Sequence, residues 1–281
     1  MDVDRVWVGA QDRTPEEFAR LRAEVAREAA VDLSALRSFC LFVGYPRSGH
    51  SLVGALLDAH RHTLLAHELD VLAFVGEGFS KDELARLVLG NARRFAAAGR
   101  AWTDYAYDVA GQWQGRCAEL RILGDKKGGR SVRRLGDDPS LADRLAATMG
   151  VPLRYVHVVR NPWDNVATRI RRKPATDAAL LADRHFALVE RVAALRERVG
   201  ERALLDVRHE HLVADPRATL ARLAAFLGLD APEDWLAACA SVVRPAPRRS
   251  RDEITWPRGL VDSIAARAAR HAFLAGYAFD D

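Results

Sequence analysis

The sequence predicts an α/β fold in which helices flank a central parallel sheet of about five strands. Short, unbroken apolar runs, such as FCLFV at 39–43, are typical of strands that are buried on both faces. Longer stretches with helical periodicity separate these runs, as expected when helices connect parallel strands. The chain has 281 residues, 49% of them apolar, which is enough for a large core and excludes global disorder.

The individual elements follow from local signals along the chain. Thr14 and Pro15 start the first helix as N-cap and first helical residue. The predicted strands are 39–43, 63–66, 121–123, 153–159 and 203–207. The predicted helices are 14–30, 52–59, 81–98, 141–149, 161–172, 177–199, 215–227, 232–240 and 257–273. Weak patterns at 103–119 and 243–255 predict functional loops rather than linkers, so 1–281 is predicted to be one domain.

The charge balance is weakly basic and identifies no partner by itself. Lysine and arginine number 42 against 38 aspartate and glutamate residues, which gives a formal net charge of +4. Only four of the basic residues are lysines. The arginine excess fits either a GC-rich genome or sites that grip phosphate or sulfate, and composition does not decide between them.

Cysteine usage and hydropathy predict a cytoplasmic location. Cys40, Cys117 and Cys239 are far apart and odd in number, so they indicate neither a disulfide framework nor a metal site. No apolar run approaches the roughly 20 residues that span a bilayer. The segment 1–17 is charged and lacks the apolar stretch of a signal peptide. We therefore expect no membrane partner and no metal.

A candidate anion-binding loop, GYPRSGHS at 44–51, follows the first predicted strand and leads directly into a helix. Such a turn gathers free backbone N–H groups at a helix N-terminus, where the helix dipole favours negative charge. Arg47 adds a cation with bidentate reach, and Ser48 and Ser51 add hydroxyl groups. The loop is too short for G-x-x-x-x-G-K-[ST] and lacks its lysine. An ordinary strand-to-helix turn remains the alternative.

A second candidate anion site lies at the end of the predicted strand 153–159. Arg160 follows that strand directly, at the edge where open α/β sheets bind ligands. Thr168 comes eight residues later, about two turns along the next helix. A lone arginine at a strand end is more commonly a salt-bridge partner than a ligand. Two such sites on strands of one sheet, however, indicate a ligand with two anionic groups.

These motifs resemble those of the sulfotransferases that use 3′-phosphoadenosine-5′-phosphosulfate (PAPS). The sequence YPRSGHS at 45–51 is similar to their 5′-phosphosulfate loop, and the span from Arg160 to Thr168 is similar to their 3′-phosphate motif. Glu68 follows Arg47 by 21 residues, and GDKK at 124–127 is similar to an Asp-Lys segment of the same family. These two features resemble most closely the tyrosylprotein and carbohydrate type.

The resemblance implies a P-loop-type fold in a single sulfotransferase domain, with a nucleotide-binding core at about 39–210 and C-terminal helices and a loop at about 211–281. It implies PAPS as co-substrate and sulfuryl transfer to a hydroxyl, or as a second choice an amine, of a small metabolite or glycan. The residues it assigns to the nucleotide are Arg47, Ser48, Gly49, His50, Ser51, Arg160 and Thr168. His50 departs from the family pattern, where a small or hydroxyl residue is usual. It either donates to the phosphosulfate, assists as acid or base, or points aside.

The resemblance also implies catalytic roles. Glu68 is the expected general base, with a solvated glutamate at a helix start as the alternative. Arg47 and Lys126 are expected to neutralise charge on the bridging and sulfuryl oxygens, and Lys127 is able to exchange roles with Lys126. His67 is a weaker candidate base.

Two further segments are candidates for the rim of the site. Family members often close the nucleotide site with a basic C-terminal loop, and Arg249 within RRSR at 248–251 is the expected contact, although a solvated basic loop fits equally well. Aromatic residues concentrate in 102–113 and are candidates for the acceptor pocket or for ordinary core.

Two other functions compete with sulfuryl transfer. An ATP-dependent small-molecule kinase is the main alternative, and the missing GK[ST] element argues against it. A nucleic-acid-binding module fits the basic balance, but no recognition motif supports it, so no nucleic acid partner is expected. The oligomeric state is left open.

Overall fold

The computed structural model describes residues 13–102 and 105–281, so the prediction for 1–12 and the start of the predicted loop at 103–104 lie outside the described residues. The strands are β1 Ser38–Val43, β2 Thr63–His67, β3 Ala101–Trp102, β4 Tyr105–Ala106, β5 Ile122–Lys126, β6 Leu153–Val159 and β7 Leu204–Arg208. Five of them form a parallel sheet in the order β2-β5-β1-β6-β7, and β3 pairs with β4 in an antiparallel hairpin. The predicted sheet is confirmed.

Helices connect and cover the strands. They are α1 Pro15–Val25, α2 His50–Asp58, α3 Val71–Gly76, α4 Lys81–Ala97, α5 Gly128–Asp137, α6 Ser140–Met149, α7 Pro162–Arg172, α8 Ala178–Val199, α9 His209–Ala214, α10 Pro216–Phe226, α11 Glu233–Ser241 and α12 Leu260–Ala268. Short 3₁₀ turns lie at Ser250–Glu253 and Ala272–Leu274. Among these described helices, none is both long and apolar enough to cross a membrane.

The sheet is buried on both faces. Along β1, Phe39 and Leu41 pack into one hydrophobic cluster, whereas Cys40 and Phe42 pack into a second cluster on the other side. All six residues of β1 are buried. This is why the strand is a continuous apolar run rather than an alternating one.

The strand β5 runs three residues further than predicted. Gly124 occupies its centre because a Cβ there would lie 2.3 Å from the carbonyl oxygen of Cys40 on the neighbouring strand. Asp125 and Lys126 are buried although they carry charge. The glycine and the two charged residues interrupt the apolar pattern, so the sequence did not indicate that the strand continues to Lys126. This end of β5 lies at the edge of the sheet that carries polar groups.

Several helices also differ from prediction. The helix α5 was not predicted, because Gly128 and Gly129 open it and glycine is a weak helix former. The first helix ends at Val25 rather than 30, and the last covers Leu260–Ala268 rather than 257–273. The arginine-rich α5 nevertheless buries Val132 and Leu135 against the sheet, which supplies the apolar contacts that hold it.

The register of the sheet brings distant residues together at its carboxyl edge. His67 of β2 pairs with Lys126 of β5, so Glu68 follows at the same level as Lys127. Val159 of β6 pairs with Arg208 of β7, so Arg160 and His209 follow at the same level of the sheet. Parallel strands thus direct their last side chains into one region.

Candidate active site

A cavity of about 830 Å³ opens at the carboxyl edge of the sheet. This volume falls in the range of small-molecule sites, about 300–1,000 Å³. Seven of the predicted site residues line it together: Arg47, Gly49, His50, Ser51, Glu68, Arg160 and Thr168. The sequence motifs therefore converge in space, as expected from their places at strand ends.

The loop between β1 and α2 presents a helix N-terminus to the cavity. Gly49 is the N-cap of α2 in a left-handed conformation, φ 101°, and no side chain caps the helix. Arg47 also has a left-handed φ of 76°, which is strained for a residue with a side chain. The strained turn aims the first N–H groups of α2 outward, an arrangement that suits an anion.

The hydroxyl group of Ser48 is engaged inside the protein. Ser48 Oγ donates to the carbonyl oxygen of Tyr45 at 2.9 Å and accepts from Asn165 Nδ2 at 3.0 Å. Ser48 is fully buried. Its side chain holds the loop against α7 and does not point to the cavity. Only the backbone N–H of Ser48 is therefore available for the expected contact with an anion.

The imidazole of His50 lies beneath the loop. Its Nε2 donates to the carbonyl oxygen of Val43 at 3.1 Å. A Cβ at Gly44 or Gly128 would lie 2.8 or 2.9 Å from this ring, so glycine is needed at both positions. Burial lowers the pKa of His50 to about 4, and the ring is neutral at pH 7. The side chain thus braces the loop, while the backbone N–H of His50 remains at the helix start.

Arg160 is a buried cation whose bonding partners are uncharged. In the described part of the chain, its guanidinium donates to Arg47 O at 3.2 Å, Thr168 Oγ1 at 3.4 Å, Arg248 O at 2.6 Å and Ser250 Oγ at 3.3 Å. Burial lowers its pKa, and only 7% of the residue is exposed. Asp164 and Glu210 lie near enough to favour its charge, but among the described residues no carboxylate forms an ion pair with it, and a buried charge without such a pair is costly. An anionic ligand in the adjoining cavity would neutralise it.

Glu68 binds both lysines of the GDKK segment. Its Oε1 accepts from Lys126 Nζ at 2.5 Å, and its Oε2 pairs with Lys127 Nζ at 2.7 Å. Burial by itself would raise the pKa of Glu68, but the two ammonium groups outweigh it and lower the pKa to about 2. Glu68 is therefore ionised at neutral pH and lines the cavity.

The two lysines differ in their exposure to the cavity. Lys126 is 1% exposed, and its Nζ also donates to Ser51 Oγ at 3.1 Å. Lys127 lines the cavity directly. Lys126 thus links the anion loop to Glu68 from behind, and Lys127 faces the space where a ligand would lie.

The turn that carries Glu68 is held by a buried carboxylate. Asp125 accepts from the N–H groups of Leu69 at 3.2 Å and Val71 at 2.8 Å. Burial raises the pKa of Asp125 to about 7. Glu68 has a φ of 60°, a left-handed conformation that such bonds stabilise. The sequence signal for this support is the aspartate directly before Lys126 in the GDKK segment.

His67 is packed rather than poised in the cavity. Its ring stacks on Phe95 with centroids 3.8 Å apart, and its Nε2 lies 3.5 Å from Lys126 Nζ. Burial, and then the charge of Lys126, lower the pKa of His67 to about 2. Its proposed role as a weaker base finds no support in this geometry.

The C-terminal segment reaches the site through residues other than the predicted one. Arg248 and Ser250 line the cavity and bond to Arg160. Arg249 does not line it; its Nε pairs with Asp252 at 2.8 Å on the surface. Arg251 is buried, and its N–H donates to Asp164 at 2.9 Å, which anchors the segment on α7. Neighbouring arginines in a loop without periodicity could not be told apart from sequence.

His209 is a cavity residue that sequence reasoning missed. It follows β7 and lines the cavity. Its ring packs so closely on Gly49 that a Cβ on that glycine would lie only 2.7 Å from His209 Nδ1. This Nδ1 is buried and has no hydrogen-bond partner among the described residues. Its position directly after a strand of the parallel sheet was the available signal. The hairpin residues Tyr105 and Tyr107, expected as acceptor or core residues, also line the cavity.

Comparison with solved structures confirms the predicted P-loop-type fold. A sulfotransferase domain from the Synechococcus PCC 7002 olefin synthase is 20% identical, with a TM-score of 0.52, over 84% of this chain and 94% of that one. A sulfotransferase domain from the curacin biosynthetic pathway is 14% identical, with a TM-score of 0.53, over 84% and 97%. Sulfotransferase STF9 from Mycobacterium avium is 13% identical, with a TM-score of 0.51, over 91% and 79%. No match was found among curated protein sequences.

Comparison with protein families identifies the chemistry that the fold carries here. The model described as "Sulfotransferase family" matches residues 41–233, which include both anion motifs, Glu68 and the two lysines. The match favours sulfuryl transfer over the kinase alternative. With more than half of the sequence matched, the chain belongs to the sulfotransferase family.

Proposed function

We propose that this enzyme transfers the sulfuryl group of PAPS to a hydroxyl, or as a second choice an amine, of a small metabolite or glycan. The observation that carries the proposal is the arrangement around one cavity. Arg160 supplies a buried charge bonded only to neutral oxygens in the described part of the chain, and Glu68 lies in the same cavity between two lysines. The first feature suits a phosphate, and the second suits proton removal beside a developing anion.

The residues fit a nucleotide with two anionic ends. Arg160 and Thr168, with Ser250 beside them, would hold the 3′-phosphate. Arg47 and the N–H groups that start α2, those of His50 and Ser51, would hold the phosphosulfate. PAPS, when bound, supplies the sulfuryl group. In the described part of the chain, no three His, Cys, Asp or Glu side chains converge as metal ligands. That the reaction needs no metal remains a prediction.

The proposed roles follow from charge and position. Glu68 accepts the proton of the acceptor hydroxyl, and Arg47 and Lys126 stabilise negative charge that develops on the departing phosphate and the sulfuryl oxygens. A carboxylate with a pKa of about 2 is a weak base. We expect Lys126 and Lys127 to shift toward the anionic nucleotide, which removes neutralising charge from Glu68 and raises its pKa.

The catalytic assignment is tested by Glu68→Gln. The amide keeps the shape of the side chain but accepts no proton, so transfer should fall by about 10²–10⁴-fold. Binding of 3′-phosphoadenosine-5′-phosphate (PAP), measured by calorimetry, should stay within a few fold of wild type. Turnover at the wild-type rate would refute the base assignment.

We propose a cytoplasmic location as well. Among the described residues, Cys40 and Cys239 are buried free thiols and Cys117 is a partly exposed one, which suits a reducing compartment. Fractionation of cells that express the chain tests this proposal, and recovery outside the cytoplasmic fraction would contradict it.

A further inference from the structure

The cavity carries far more positive than negative charge. Among the described residues that line it, nine are lysine or arginine and one, Glu68, is acidic. The 3′-phosphate of a bound nucleotide would bring about two negative charges and its phosphosulfate about two more. A surplus of positive charge therefore remains after the nucleotide is bound.

Part of this surplus forms a row on α5. Lys127, Arg130 and Arg133 are spaced by three residues, so they lie on one side of the helix, and all three line the cavity. The row begins at Glu68, because Lys127 Nζ pairs with Glu68 Oε2 at 2.7 Å. Arg130 and Arg133 follow at about 4.5 and 9 Å along the helix axis. The row thus leads away from the proposed point of proton removal.

The carboxylates near this row are already shared between arginines. Asp70 accepts three hydrogen bonds from Arg134 at 2.8 to 3.0 Å, and Arg130 reaches the same carboxylate only at 3.6 Å. On the other wall, Glu253 serves both Arg171 and Arg248. Among the described residues, Arg133 forms no ion pair with a carboxylate, so the far end of the α5 row keeps its positive charge.

Like charges crowd the far end of the row. Burial and then the neighbouring Arg130 and Arg191 lower the pKa of Arg133. Behind it, Arg169 has a buried Nη1 with no hydrogen-bond partner among the described residues. Burial, Arg133 and Arg184 lower the pKa of Arg169 to about 10. A bound anion would relieve this crowding.

Aromatic side chains form another part of the lining. Trp102, Tyr105 and Tyr107 of the β3–β4 hairpin line the cavity, and Lys126 Nζ lies 5.9 Å from the ring centre of Trp102. Arg244 covers Tyr105 at 4.5 Å. A flat acceptor could pack against these rings while its charged end reaches the arginines of α5.

We propose that the sulfuryl acceptor is itself an anion, a hydroxylated compound that carries a carboxylate or phosphate group bound by Arg130 and Arg133. This inference rests on the proposed function, since it takes Glu68 as the point where the acceptor hydroxyl loses its proton. It assigns to the α5 row a role in acceptor selection that is separate from nucleotide binding.

The test is calorimetry of probes that share one phenol and differ in charge, added to protein saturated with PAP. The probes are 4-hydroxyphenylacetate, its neutral amide, the cationic tyramine, and 4-hydroxybenzylphosphonate to separate carboxylate from phosphate preference. At least one anion should bind about tenfold more tightly than the amide, and tyramine should bind most weakly. Arg133→Gln should remove the preference and leave the PAP affinity unchanged, whereas Arg217→Gln, the same charge change at a distant exposed pair with Glu233, should alter neither.

The outcomes are distinguishable. If PAP binds but neither anion binds more tightly than the amide, or if Arg133→Gln keeps the preference, the acceptor proposal is wrong and the proposed function stands. If PAP itself does not bind, the proposed function fails and the acceptor proposal fails with it.

Discussion

Glu68 is ionised, strained and neutralised by two lysines at once. Its φ of 60° is held by hydrogen bonds from the backbone N–H groups of Leu69 and Val71 to Asp125, and its pKa of about 2 follows from Lys126 and Lys127. This arrangement keeps a carboxylate ready in the cavity but suppresses its basicity. Negative charge on the bound nucleotide would then attract the two lysines and raise the pKa of Glu68, which makes the carboxylate a stronger base.

Lys126→Met tests this balance. Removal of one ammonium group should raise the pKa of Glu68 toward its ordinary value, so the acid limb of the pH profile of kcat/KM should move to higher pH. Loss of a positive charge beside the sulfuryl group should also lower kcat by about 10²-fold or more. Lys127→Met is the matched variant. If both variants keep the wild-type acid limb, the lysines do not set the pKa of Glu68.

At the residue scale, the sequence predicted the positions of the cavity arginines Arg47 and Arg160 better than the orientation of the side chains around them. Arg47 and Arg160 could be placed because each follows a buried strand, and parallel strands end at one edge. The inward bonds of Ser48 and His50 could not be predicted, because they depend on the carbonyl groups of Tyr45 and Val43 in a strained turn. Local spacing contains no information on such orientations.

At the element scale, the 3₁₀ turn at Ser250–Glu253 closes the cavity over α7. The ion pair of Arg251 with Asp164 and the hydrogen bond from Thr168 Oγ1 to Ser250 Oγ, 3.0 Å long, fasten it there. The turn brings Arg248 O and Ser250 Oγ onto Arg160. Closure of the cavity by this segment therefore depends on its anchor and not on its exposed arginines.

Arg251→Ala tests the anchor. Without the buried arginine the segment should loosen, weaken PAP binding by about tenfold, and expose 243–255 to limited proteolysis. Arg249→Ala is the control, because among the described residues Arg249 pairs with Asp252 at the surface and does not line the cavity. Equal losses in the two variants would show that closure does not act through Arg251.

The sequence predicted the sheet and most helices because buried strands and amphipathic helices have strong periodic signals. It missed α5, although this helix carries Lys127 at its N-cap and the arginines of the acceptor proposal. Three glycines and three arginines within 128–137 mask a helix whose stability comes from packing Val132 and Leu135. Tertiary contacts, rather than local propensity, decide this element.

At the scale of the whole molecule, buried neutral histidines should make the fold sensitive to acid. His185 is fully buried, and neither ring nitrogen has a hydrogen-bond partner among the described residues. Burial, followed by the charges of Arg169 and Arg267, lowers its pKa to about 3. Because the folded-state pKa is below the unfolded value, the stabilising effect is full above about pH 6.5 and is lost as the pH falls toward 3.

His185→Phe measures this contribution. The variant should unfold at equal or higher denaturant concentration at pH 7, since unsatisfied polar atoms are removed, and its advantage over wild type should grow by a few kcal/mol toward pH 4. The exposed His211→Phe should show no such growth. A constant difference between His185→Phe and wild type across this pH range would contradict the account.

We propose that Arg160 and the α2 loop hold the two anionic ends of one nucleotide beside Glu68. Calorimetric titration of PAP into the wild-type chain and into Arg160→Ala tests it most directly. We expect saturable one-to-one binding by the wild type and a loss of about 10-fold to 10²-fold in the variant, because a buried charge-assisted contact is removed. No binding by the folded wild-type chain, or equal affinity for both chains, would contradict it.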